Sequence, residues 1–112
     1  MKFVLKGKLP SKKNTARWGN GRFYNSANKE MNDFILQLIE QKPQYTNLPI
    51  KNDCRLILSV WCDNRNDLNN QLSTLCDIIE KAGIVENDRQ IKDIVARKYQ
   101  DIKNPRCELE IL

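Results

Sequence analysis

The sequence predicts an α/β protein of the α+β kind, with a mixed sheet of about four strands and two main helices in the order β-α-β-α-β-β. Three observations carry this expectation. Apolar residues alternate along residues 2–9 and 91–99, the period of a half-buried strand. They recur every three or four positions along 26–41 and 68–81, the period of an amphipathic helix. Residues 55–62 are apolar on both faces, as a strand covered from two sides requires. At 112 residues the chain makes one domain, 1–112, long enough to bury a core without disulfides.

The elements follow in order. Phe3 and Leu5 oppose lysines in an edge-like first strand that Pro10 ends. The polar stretch 10–25 carries Asn20-Gly21, a tight-turn signal, so Arg17-Trp18 and Arg22-Phe23-Tyr24 are expected to pair as a small hairpin. Ser26 is the expected N-cap of a helix to about Gln41, with Met31, Phe34, Ile35, Leu38 and Ile39 on one face, stopped by Lys42-Pro43. The β-rich run Leu56-Ile57-Leu58-Ser59-Val60-Trp61 reads as a central strand, with Trp61 in the core or at a dimer interface. A second helix, from about Leu68 to Lys81, places Leu68, Leu72, Leu75, Ile79 and Ala82 inward, with Gly83 as its stop. An acidic turn, 84–89, leads to a strand over 91–99, and Asn104-Pro105 turns the chain into a last strand marked by Cys107, Leu109 and Ile111.

Composition excludes much chemistry. The chain has no histidine, which removes Ser-His-Asp and Cys-His catalysis. Its four cysteines, at 54, 62, 76 and 107, lack zinc-site spacing and read as buried thiols. No apolar run approaches the length of a transmembrane helix, and the N-terminus has no long apolar stretch, so a cytoplasmic location without membrane association is expected. The net charge of +5 is uneven: Lys2, Lys6, Lys8, Lys12, Lys13, Arg17, Arg22 and Lys29 precede the first acid. A basic segment of this kind suits a polyanion such as nucleic acid, and equally a solvated face.

Any catalysis must therefore use carboxylates, lysine, arginine, hydroxyls or a bound metal. Asp67 and Asp88 frame the second helix, but a helix of this length spans roughly 21 Å, so its two ends would not ordinarily share an ion. Locally, Asp67 reads equally as an N-cap and Asp88 as a turn residue.

The segments Arg65-Asn66-Asp67-Leu68-Asn69-Asn70 and Asp77-Ile78-Ile79-Glu80-Lys81-Ala82-Gly83-Ile84-Val85-Glu86-Asn87-Asp88 resemble the RusA family of Holliday-junction resolvases, which carries an Asp-Leu-Asp-Asn motif, a helix ending in Lys-Ala-Gly, and an Asp-Asp pair. The start, Pro10-Ser11-Lys12-Lys13-Asn14 with Gly21-Arg22-Phe23-Tyr24, and the last strand are similar too, so the resemblance runs through nearly the whole chain. It implies a homodimeric, magnesium-dependent endonuclease of phage or prophage recombination, acting on branched DNA with no organic cofactor, with manganese able to substitute. It also implies that Asp67 and Asp88 are catalytic metal ligands. Two departures stand out: Asn69 replaces the second motif aspartate, and Ser73 replaces the family's lysine. An amide oxygen still binds a hard cation but brings no charge, and Asp77 is a further candidate ligand. Lys12, Lys13, Asn14, Arg17, Arg22, Arg65 and Arg89 are the expected nucleic-acid contacts. Asn69 and Ser73 keep open a second reading, a junction-binding relative that does not cut. Charge and aromatics alone would suit a small RNA-binding protein.

Overall fold

The computed structural model describes residues 1–10, 16–19, 22–25 and 28–112, with the backbone alone described at 16–19, 22–25 and 28. The expected class is borne out. The strands are β1 (Lys2–Lys6), β2 (Ala16–Gly19), β3 (Arg22–Asn25), β4 (Cys54–Cys62), β5 (Ile91–Gln100) and β6 (Arg106–Ile111). The helices are α1 (Asn28–Gln41) and α2 (Leu68–Lys81), with short 3-10 turns at Lys42–Gln44 and Asp88–Gln90.

Four strands make one sheet in the order β1-β6-β4-β5. β6 runs antiparallel to both β1 and β4, whereas β4 and β5 are parallel and joined through α2. β2 and β3 pair by themselves, Trp18 opposite Phe23 and Gly19 opposite Arg22, as the hairpin reading expects. The turn residues Asn20 and Gly21 and the expected cap Ser26 lie outside the described residues.

Strand periodicity decides which side is buried. Phe3, Leu5, Leu56, Leu58, Val60, Cys107, Leu109 and Ile111 point to one side, where Phe34 and Leu38 of α1 and Leu75, Ile78 and Ile79 of α2 close the core. The alternate positions face outward. Trp61 lies there, half-buried, stacked on Tyr99 at 5.0 Å and covered by the Arg106 guanidinium at 4.3 Å, so it is not a core residue of the single chain. No helix among the described residues is long and apolar enough to cross a membrane.

The two sheet edges differ. Along β1 the outward backbone groups are met by side chains: Gln37 exchanges two hydrogen bonds with Lys6 at 2.8 Å each, Gln41 does so with Val4, and Tyr45 with Lys2. This satisfies the edge as another strand would. No such cover is seen along β5 among the described residues, and there Ile94, Val95 and Tyr99 are exposed.

α2 stops as its sequence predicts. Ile84 N–H donates to Ile79 C=O at 3.1 Å and Gly83 N–H to Glu80 C=O at 3.0 Å, a Schellman closure with Gly83 at φ 79°. Ile79 and Ile84 are both fully buried beside it. A Cβ on Gly83 would approach the movable Lys42 Nζ at 2.8 Å, so backbone conformation is the main cost. Gly83→Ala is expected to lower stability by about 1–2 kcal/mol in urea denaturation, the left-handed penalty for a residue with a side chain.

Candidate active site

Asp67 is positioned by the helix it starts. As N-cap of α2 it has extended backbone, and its Oδ1 accepts from Asn69 N–H at 2.9 Å and Asn70 N–H at 3.4 Å. These bonds satisfy otherwise orphaned amides and set negative charge on the positive end of the helix dipole. Oδ2 accepts no hydrogen bond among the described residues, so the exposed carboxylate keeps an oxygen for another ligand.

The loop before Asp67 is held from β5. Lys98 Nζ donates to Asn64 C=O at 2.8 Å and Asn66 C=O at 2.6 Å. Gln100 Oε1 accepts from Asn64 N–H at 2.7 Å. The register explains the reach: Val60 pairs with Lys98 and Cys62 with Gln100, so these side chains stand where β4 leaves the sheet. Sequence reasoning missed both residues. The alternation expected over 91–99 carries no local sign that a side chain of this strand would meet the 63–66 loop.

Arg65, expected as a DNA contact, is committed to Asp63 through Nε at 3.0 Å and Nη2 at 2.6 Å. The Arg65 hydrogen bonds hold the Asp63 carboxyl down at about 2, with Lys8 a lesser contributor.

Asp88 belongs to the other end of α2. It opens the 3-10 turn Asp88–Gln90, capped by Asn87, whose Oδ1 accepts from Arg89 N–H at 2.9 Å. Gln90 closes the capping box and donates to Ile50 C=O at 2.7 Å and Asn52 C=O at 3.0 Å. Asp88 N–H donates to Glu80 Oε1 at 2.9 Å, which sets a second carboxylate beside it. Glu80 also went unremarked as a site residue, because its partner comes from beyond the helix stop. Burial, then the charges of Asp88 and Cys54, push up the Cys76 thiol, so Asp88 lies within electrostatic reach of Cys76. Arg89 is engaged through Nε with Asn87 Oδ1 at 3.1 Å.

Asp67 and Asp88 are therefore not brought together within one chain. From Asp67 to Cys76 is about 13 Å of helix at roughly 1.5 Å per residue. Among the described residues no group of three or more His, Cys, Asp or Glu side chains is gathered to hold a metal ion. Asn69 and Ser73 are exposed on α2, and Asp77 is half-buried on the same helix. Lys12, Lys13 and Asn14 lie outside the described residues, and only the backbone of Arg17 and Arg22 is described, on β2 and β3.

The Asp63–Arg65 pair gives a pH signature. Because the folded carboxyl titrates below its ordinary value of 3.8, the pairing contributes above that value and is lost as pH falls through about 2. A carboxyl NMR titration is expected to show the Asp63 midpoint near 2, rising toward 3.8 in Arg65→Met.

No curated protein matches the chain closely enough to count as a relative. A family model, Endodeoxyribonuclease RusA, matches residues 9–112, a span that takes in both acidic loci and all of α2. Members are Holliday-junction endonucleases, generally dependent on a divalent metal. The chain belongs to the RusA endodeoxyribonuclease family.

Proposed function

We propose that this protein resolves four-way DNA junctions by phosphodiester hydrolysis assisted by magnesium, with manganese able to substitute, and that it works as a homodimer whose two copies share each metal site. One observation carries the shared site: α2 holds Asp67 at one end and Asp88, with Glu80, at the other. Magnesium takes oxygen ligands at about 2.0–2.1 Å in near-octahedral geometry. The donors of one chain do not fit it. A two-fold axis that sets two α2 helices antiparallel would bring Asp67 of one copy beside Asp88 and Glu80 of the other.

The bare edge supports that arrangement. Among the described residues β5 pairs only with β4, and it exposes Ile94, Val95 and Tyr99. An uncovered apolar edge is a template for another strand. In an antiparallel β5–β5 pairing centred on Val95, Asp93 falls opposite Arg97 and Ile91 opposite Tyr99, each twice. Lys92 falls opposite Lys98, whose ammonium is drawn away by the 63–66 loop. Since α2 is the connection between β4 and β5, joining along β5 sets the two α2 helices alongside each other. The half-buried Leu72 and Cys76, one turn apart, supply a small apolar ridge for that contact.

In this reading the amide bonds from Asn69 and Asn70 fix the Asp67 carboxylate before DNA arrives. The backbone of Asp88 is set by its 3-10 turn and by the bond from its N–H to Glu80 Oε1. A divalent ion held between them would polarise the scissile phosphate and activate water. Asn69 reduces the charge offered to that ion relative to an aspartate. The basic residues Lys12, Lys13, Arg17 and Arg22, with Asn14, would meet DNA phosphates, a salt-sensitive contribution that carries no sequence information. Asn69 and Ser73 are also what favours the second reading, a junction binder that does not cut.

A mixing experiment tests both parts. Asp67→Asn and Asp88→Asn are each expected to bind a synthetic four-way junction and leave it uncut in magnesium or manganese. Mixed and re-equilibrated, they should regain single nicks from about a quarter of the sites, because half the dimers are mixed and each carries one intact shared site. Sites held within one chain predict no recovery. Tight junction binding by the unmutated protein without cleavage in either metal would establish the second reading instead.

A further inference from the structure

We infer that Lys98 is the cation of the cleavage site, holding the loop that carries Asp67 and presenting its ammonium to the phosphate beside that aspartate. The inference rests on the nuclease reading.

Cleaving a phosphodiester beside carboxylates requires positive charge, because the backbone arrives negative and gains charge on the oxygens as the bond breaks. Near the N-terminal end of α2 the described cations differ in what they are already doing, and Lys8 lends its charge to Asp63. The Arg65 guanidinium faces Asp63 through three contacts of 3.1 Å or less. Arg106 Nη1 is held by Asp101 at 3.0 Å and Asn104 C=O at 3.0 Å, and its guanidinium lies over Trp61. Lys98 differs because its two partners, Asn64 C=O and Asn66 C=O, are neutral carbonyls. Its charge is therefore not cancelled by an acid. An ammonium has three donors in total, so one remains after both carbonyls are met. The carbonyl it grips, Asn66, belongs to the residue directly before Asp67.

The position is built by the fold. Lys98 rises from β5 on the helix side of the sheet, opposite Val60, and is partly buried where it meets the loop. Two carbonyls fix the end of a side chain that is otherwise free to rotate, so it reaches the phosphate with less order still to be lost. Arg89 would reach the shared site only from the second copy, with Asp88, and its Nε is already engaged by Asn87 Oδ1 at 3.1 Å.

The test separates charge from scaffold. Lys98→Gln retains an N–H donor for the loop but removes the charge, Lys98→Met removes both, and Lys103→Met removes an exposed charge on the β5–β6 turn as a control. Junction affinity is measured across a salt series, alongside single-turnover cleavage. Lys98→Gln and Lys98→Met are expected to flatten the slope of log affinity against log salt by about 0.9, one phosphate contact. Both should cut about 100-fold more slowly with binding otherwise retained, the scale of losing one transition-state donor. Adding Ser73→Lys to Lys98→Gln should recover much of that rate, since a helical side chain at 73 leans back toward Asn69 and the α2 N-terminus. Lys98→Gln with the unmutated salt slope, or a slope change equal to that of Lys103→Met, would overturn the inference. So would a rate loss that Ser73→Lys leaves untouched. If the unmutated protein does not cut, the nuclease reading fails first, and the salt slope still decides whether Lys98 meets a phosphate.

Discussion

A helix that connects two parallel neighbouring strands has to run back against them. β4 and β5 are parallel, so α2 begins where β4 ends and finishes where β5 starts. Everything at the candidate site follows from that geometry. It puts the two acidic loci at opposite ends of one rod. It explains why each is finished separately, Asp67 by amides of its own helix and Asp88 by Glu80 and the Asn87–Gln90 box. Under the proposed function it would also leave a single chain an incomplete container for an ion, which a second copy would complete.

The contrast between the sheet's edges points the same way. Gln37, Gln41 and Tyr45 meet the outward backbone of β1, at intervals that follow the turns of α1 and the strand's alternate residues. Each such bond contributes about 1 kcal/mol, and together they remove β1 as a place to add a strand. β5 has no comparable closure among the described residues and carries Val95 at 57% exposure. A protein that closes one edge with this much polar machinery and leaves the other uncovered has an asymmetry that a two-fold partner would resolve.

The fold was legible because its signals are periodic. The α2 boundaries, the Gly83 stop, the β2–β3 pairing and the central place of β4 all follow from alternation, helical spacing or turn chemistry. The site was less legible for a physical reason. Lys98, Gln100 and Glu80 act through partners distant in sequence, fixed by strand register and by the return of the chain after Gly83. No local pattern encodes that register. Arg65 shows the reverse case: its charge suggested DNA, while its nearest acid, Asp63, lies only two residues away and takes its fork first. Of the two places expected for Trp61, the core of the chain is excluded, since the odd positions of β4 face outward and the even ones make the core.

The central claim is that metal is held between copies. It is tested most directly by manganese binding, followed by electron paramagnetic resonance, to the unmutated protein and to Val95→Arg, which sets like charges against each other at the centre of the β5 edge, with sedimentation reporting the assembly state. The account predicts a manganese-binding dimer and a folded Val95→Arg monomer that has lost the ion although Asp67 and Asp88 are intact. A monomer that binds manganese as tightly as the unmutated protein would contradict it.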